Sequence, residues 1–356
     1  MNGRGSTEQC SEPAARSEWP RPRLLISECL GFADVRYDGG RIPNSLVESL
    51  KPYVEFIPVC PEVTIGLGVP RPPIRLVETG EGLRLIQPDT GQDLTERMRR
   101  FSALFLSRLG EVDGAILKSR SPSCAPRDAR VYPSHGSAPS SGQRPGLFAE
   151  AVRRFFPDIP VEDEGRLTNR EIREHFLTAV FALARLRQAI EEGSPHALMA
   201  FHARYKFLLM AYNQEALREL GRTLANPDRL PMQEISRRYL AGFRAALLFP
   251  PRRPSMANAL MHGFGYVSAH LTRPERAYFL ELLADYREGR AHWDAPLRLL
   301  QSWAIRFEVP YLLQQALFEP FPRALISPED SGKGRPLRWK GAFRRSPGLG
   351  ASAPPG

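Results

Sequence analysis

Long apolar runs are missing from this chain. None reaches the length that crosses a bilayer, and the opening MNGRGSTEQCSEPAARSEWPRPR holds no apolar stretch of the signal-peptide kind. A soluble, cytoplasmic protein with no membrane partner is the expectation. A phosphate-cradling G-x-x-x-x-G-K-S/T loop is also absent, so no nucleotide cofactor is expected. Cysteine is scarce, four in 356 residues, with no closely spaced pair of the kind structural zinc sites use. In a cytoplasmic chain, so few thiols argue against disulfides and for metal binding or catalysis.

What is present suffices for two ordinary domains, with 42% hydrophobic residues to fill their cores. Residues 1–20 read as a disordered leader, and Cys10 within it as a bystander. Residues 21–164 read as an α/β domain with a mostly parallel sheet. Its strand-like runs are Leu24–Ser27, Val54–Val59, Ile74–Glu78, Leu83–Ile86 and Gly114–Leu117. Helices are expected over Asn44–Leu50, over Leu94–Leu109 with Asp93 or Thr95 as cap, and over Leu147–Phe156. The Ser/Gly/Pro-rich stretch 132–145 reads as a loop, and PDIPVEDEGRL as a linker-like exit.

Residues 165–327 have the texture of an all-α helical domain. Amphipathic segments run over Arg170–Glu192, His196–Thr223, Met232–Ala246, Ser255–His270, Arg273–Glu288 and Pro296–Val309. Residues 328–356 read as a disordered tail, basic through Lys333, Arg335, Arg338, Lys340, Arg344 and Arg345. Charge divides along the same line. Residues 1–164 carry a net −1 and residues 165–356 a net +11, mostly arginine. Such asymmetry points to a polyanion handled by the second half. Nothing in the sequence sets an oligomeric state.

Cys29, Cys60 and Cys124 each stand just past a strand-like run, in LLISECLG, VEFIPVCPE and GAILKSRSPSC. In a parallel α/β sheet all strand C-termini share one edge, and ligand sites form there. A single such cysteine is ordinarily a small buried hydrophobe. Three converging thiolates without a fourth form a donor set for a cubane iron–sulfur cluster with one iron open to a substrate atom. Zinc is the other metal option, although its structural sites use four ligands in close pairs. Glu62 lies two residues after Cys60, and Ser121 three before Cys124, with Ser119 and Ser123 nearby. A carboxylate beside an open metal site can serve as base for water or as proton donor, and a serine can orient a water or a substrate oxygen. Ordinary turn roles are the bland alternative for both.

SECLGFADVRYDGG, CPEVTIGLGVPRPPIRL, GQDLTERM and ILKSRSPSC together resemble the thiouracil desulfidase family over roughly residues 22–160. The resemblance implies an oxygen-sensitive [4Fe–4S] cluster held by Cys29, Cys60 and Cys124, with Glu62 as the acid–base glutamate and Ser121 as the active-site serine. It also implies removal of sulfur from thiolated uracil without net redox change. FHARYKFLLMAYNQ, MANALMHGFGYVSAHLTRPERAYFLELLADYREG and FEVPYLLQQALFEPFP resemble a separate helical family, often fused to the first. The fused form resembles the tRNA 4-thiouridine desulfidases, which implies a helical tRNA-binding domain and tRNA as partner.

Candidate RNA contacts within or near those strings are His202, Tyr205, Lys206, Asn258, His262 and Tyr266. The pairs Arg237–Arg238 and Arg252–Arg253 are candidate phosphate contacts. A buried polar network is the alternative for the first group, and solvated pairs for the second. Three other readings stand beside the tRNA desulfidase. One is a desulfidase of free thiouracil or thiolated nucleosides whose helical domain serves oligomerisation. Another is a non-enzymatic, cluster- or metal-sensing RNA-binding regulator, which would have no need of Glu62 or Ser121. The last is a thiolation enzyme, which the missing nucleotide loop disfavours.

Overall fold

The computed structural model describes residues 19–133, 139–226 and 228–334. Cys10, most of the expected leader and the basic residues from Arg335 onward lie outside them. Four parallel strands form the first sheet: β1 (Arg23–Ser27), β2 (Glu55–Val59), β6 (Gly114–Leu117) and β9 (Val161–Asp163), in the order β2-β1-β6-β9. In register, Ser27 faces Val59, Ile26 faces Ile116, and Leu117 faces Asp163. All four C-terminal ends therefore share one edge. The second sheet, ordered β5-β4-β3-β7-β8, is mostly antiparallel. It contains β3 (Arg75–Thr79), β4 (Gly82–Gln87), β5 (Gln92–Asp93), β7 (Ala129–Tyr132) and β8 (Gly142–Arg144).

The fold class is as expected, an α/β half followed by helices. The strands at 74–87 differ in belonging to a separate sheet. PDIPVEDEGRL is not a linker but supplies edge strand β9. Its Glu162 is held by one distant and one local partner: Arg127, 35 residues away, and Arg166, four residues on in the same string, both donate to it, at 2.9 and 2.7 Å.

Alternate residues of β1 face two different cores, as the period-2 pleat requires. Leu25 packs toward α3 (Thr95–Arg108) and α4 (Leu147–Phe155), against Met98, Leu106 and Phe148. Leu24 and Ile26, with Ile116, pack toward α1 (Ser45–Leu50) and α5 (Arg170–Glu191), against Val47, Phe176, Leu177, Val180 and Phe181. The opposite side of α5 presents Ala179, Ala182, Leu183 and Leu186 to the helical core. One helix thus serves both halves. Arg187 on α5 also pairs with buried Asp113 at 3.0 Å. A chain cut at residue 164 would bare Leu24, Ile26 and Ile116, each contributing about 1.5–3 kcal/mol when buried.

The remaining helices are α6 (Pro195–Tyr212), α7 (Gln214–Ala225), α8 (Met232–Ala246), α9 (Arg253–Gly265), α10 (Arg273–Glu288), α11 (Asp294–Arg306) and the short α12 (Pro310–Leu313). The expected continuous helix His196–Thr223 breaks at Asn213. There the backbone is extended and the side chain accepts from Ala216 N at 3.0 Å, so asparagine caps a new helix instead of continuing the old one. Residues 328–331, expected in the tail, run along the start of α5, where Arg173 donates to the Ser327 and Glu329 carbonyls and Ser331 N bonds Thr168 O at 3.1 Å. No helix among the described residues is long and apolar enough to cross a membrane.

Candidate active site

The three cysteines lie where the strand edge places them. Cys60 directly follows β2 and caps α2 (Pro61–Thr64), a single helical turn that puts Glu62 two positions on. Cys29 follows β1 by two residues, in a turn closed by Gly31. That glycine has φ +88, and a Cβ there would meet the Glu48 carboxylate at 3.2 Å. Cys124 arrives on the loop from β6. Arg120 turns this loop in the left-handed region (φ 61), its N–H bonded to Asp128 at 2.8 Å.

The Ser121 hydroxyl accepts from the N–H groups of Ser123 (3.2 Å) and Cys124 (3.0 Å), which fixes the thiol-bearing turn. The start of α4 fixes it from the other side, with Phe148 N donating to Ser123 O at 2.9 Å. A Cβ at Gly146 would lie 2.5 Å from the Ser123 carbonyl carbon and oxygen. Gly146→Ala is expected to cost about 1–3 kcal/mol by overpacking. It is also expected to lower iron retention by displacing Cys124, measured by thermal melting alongside iron content.

Burial raises all three thiols. Cys29 rises to about 12, chiefly by burial and then by the charge of Cys60. Burial also pushes Cys60 up. Cys124, the most deeply buried, rises well above its ordinary value. A hydrogen bond with Ser27 opposes that rise, while Glu62, Cys29 and Cys60 add to it. Each sulfur thus lies within the field of the others. Beside Cys29, Lys118 donates to Glu164 and to Ser119 Oγ (2.9 Å), and Glu164 accepts from Ser119 N at 2.9 Å.

Glu62 stands among donors. Arg71 Nε and Nη2 bond its Oε2 at 3.0 and 2.8 Å, and Ser123 Oγ bonds its Oε1 at 2.9 Å. Ser121 Oγ lies 3.5 Å from the same Oε1. The Arg71 side chain is 4% exposed and that of Glu62 13%. Ser123 is fully buried and anchors the carboxylate, whereas Ser121 is half-buried and keeps part of its surface open. Arg71 has no role in the sequence reading. Its only signal is its place in GVPRPPIRL, nine residues past Glu62.

The candidate RNA contacts are scattered over α6, α8 and α9. Tyr205 is 1% exposed and stacked on Phe201, away from any RNA surface. His202 is half-buried with Nδ1 2.9 Å from the Tyr239 hydroxyl, and burial lowers its pKa. Lys206 and Asn258 are half-buried. Arg237 and Arg238 are exposed but share the Glu234 carboxylate, at 2.7 and 2.6 Å. Arg252, Arg253 and His262 are exposed, as is Tyr266, whose ring lies 5.3 Å from that of Tyr311.

Among the described residues no three His, Cys, Asp or Glu side chains close on a single-ion site. One zinc would hold its sulfurs about 4 Å apart, given Zn–S bonds of about 2.3 Å. A cluster several atoms across takes its thiolates further apart, and three soft sulfur donors suit it. The class so defined is a thiolate site joined to acid–base groups at the C-terminal edge of a parallel sheet.

Residues 24–164 match the family described as 2-thiouracil desulfurase, and residues 206–322 match a family of unknown function, DUF1722. Helix α5 falls between the two matches. The uncharacterised protein YbbK of Bacillus subtilis is 32% identical over 108 residues, 28% of this chain and 72% of that protein. The uncharacterised protein YbgA of Escherichia coli is 29% identical over 151 residues, 42% of this chain and 89% of that protein. Among solved structures, the [4Fe-4S]-dependent thiouracil desulfidase TudS aligns with a TM-score of 0.33 and 29% identity, covering 41% of this chain and 93% of that one. The chain belongs to the 2-thiouracil desulfurase family, with a DUF1722 segment following the family's domain.

Proposed function

We propose that the protein removes sulfur from 4-thiouridine in tRNA, giving uridine and hydrosulfide, with Cys29, Cys60 and Cys124 holding a [4Fe–4S] cluster. One observation carries this reading: three thiols meet the Glu62–Arg71–serine group at one sheet edge, in a chain of the 2-thiouracil desulfurase family. When bound, the cluster supplies a Lewis acid with affinity for the substrate's sulfur.

The chain's own groups do the proton work. Arg71 and Ser123 hold Glu62 in one orientation, with Oε1 turned toward Ser121. Glu62 Oε1 takes a proton from a water oriented by Ser121, and that water adds to the ring carbon bearing sulfur. Water thus replaces C=S by C=O with no change in oxidation state, and sulfur leaves as hydrosulfide. In tRNA the base must first leave its stack, at a cost of a few kcal/mol.

The choice of tRNA over a free base is supported by the +11 charge of residues 165–356. The test is anaerobic incubation of cluster-loaded protein with thiolated tRNA and, separately, with free thiouracil. The expected result is loss of 4-thiouridine from tRNA, with binding that weakens steeply as salt rises. Turnover of the free base alone, with no salt-sensitive tRNA binding, would replace this reading by the free-base one, in which the helical half serves oligomerisation.

A further inference from the structure

A cavity of about 100 Å³ lies where the two halves meet. Its wall draws Arg127 from the loop after Cys124, Arg153 from α4, Arg166 from the turn after β9, and Arg244 from α8 of the helical half. The floor is apolar, formed by residues such as Ile172 and Phe176 of α5.

Its charges do not balance. Glu162 absorbs Arg127 and Arg166 together, at 2.9 and 2.7 Å. Asp158 is the other carboxylate in the wall. His175 adds no charge: burial pulls it down to about 4, and its Nδ1 lies 3.1 Å from the Tyr212 hydroxyl. Four guanidiniums thus face two carboxylates. Arg153, exposed at the rim, has no ion pair among the described residues; the charge of Arg127 works against it and that of Glu162 for it. Arg244 Nε is buried without a hydrogen-bond partner. A buried donor lacking an acceptor, beside uncompensated positive charge, calls for an anion.

We propose that this cavity binds one phosphoryl group of the RNA substrate, clasped by Arg153 and Arg244 from the two halves of the chain. The inference rests on the tRNA reading above. Size favours a small ligand group: about 100 Å³ is well below the roughly 300 Å³ at which small-molecule pockets begin. Arginine forks match phosphate oxygens bidentately. Position connects the cavity to the chemistry. Glu162 stands two residues before Glu164, which holds Lys118 and Ser119 beside Cys29. Through β9 the cavity wall is thus continuous in the chain with the group beside Cys29.

The test uses full-length protein and its Arg244→Gln and Arg153→Gln variants. Binding to thiolated tRNA is measured across a salt series, and melting in inorganic phosphate is compared with chloride at equal ionic strength. Each variant is expected to lose about tenfold in tRNA affinity and about one unit of the salt slope. Phosphate is expected to raise the melting temperature of the parent and not of the variants. Arg153→Gln, on the exposed rim, carries the test should Arg244→Gln fail to fold. Parent-like affinity and slope in the folded variants overturn the proposal. If they are accompanied by phosphate stabilisation of the parent alone, the cavity takes a free anion and the RNA assignment falls. Hydrosulfide release from thiolated tRNA by the parent reads the desulfidase assignment separately: arginine-dependent binding without release would leave this site standing and remove the activity.

Discussion

Replacing Cys29, Cys60 or Cys124 with alanine is expected to abolish the cluster. Anaerobically reconstituted parent should hold about four irons with matching sulfide and absorb broadly in the visible, as thiolate-ligated clusters do. Each single variant should fall to near-background iron, because two thiolates do not retain a cluster built for three. Cys10→Ala should retain the full complement. The thiol environment adds a pH dependence. Burial raises all three thiols, Cys29 to about 12, so the free site holds protons that cluster ligation must release. Loss of protons on binding means that uptake strengthens as pH rises, which reconstitution at a series of pH values reads directly. Stoichiometric zinc without sulfide in the native protein would overturn the cluster assignment.

Glu62→Gln should retain the cluster and lower desulfidation by about 10²–10⁴-fold, the range removed with a general base. Glutamine is the informative replacement. Its amide oxygen still accepts from Arg71, whereas alanine would leave a guanidinium buried without its carboxylate, costing about 3–5 kcal/mol. Ser121→Ala is a less clean probe than its position in the sequence implies, because its hydroxyl also holds the Cys124 amide. That variant should lose turnover and some iron together, while Glu62→Gln loses turnover alone. Iron content, visible spectrum and melting temperature, measured beside hydrosulfide release, separate the two. Parent-like turnover by Glu62→Gln would remove its catalytic role.

Much of the secondary structure is legible locally. Met232–Ala246 and Arg273–Glu288 form over the expected residues, the latter with a Thr272–Glu275 capping box at its start. Gly114–Leu117 is a strand as its apolar run indicates. Errors fall where a long-range partner outweighs local preference. Val161–Asp163 is acidic and follows proline, yet it is a strand because β6 offers an unpaired edge and Arg127 and Arg166 neutralise Glu162. Tyr205 sits on a helix among polar residues and reads as a surface contact, yet it is buried because α8 brings Tyr239 and Phe243 against it.

The sequence by itself determined which chemistry is available and where charge accumulates. Three thiols each follow a strand, a carboxylate stands two residues from one of them, and all the excess positive charge lies after residue 164. These are properties of local order and composition, which a linear reading retains. Only the tertiary structure decided what meets what. It set Arg71 and Ser123 on Glu62, and it gave Ser121 a second task at Cys124. It made α5 the shared wall of two cores and gathered arginines from four separate segments around one cavity. Such pairings depend on strand register and helix packing between residues as far as 166 positions apart. Those contacts are selected by burial of the whole core and leave no local signature.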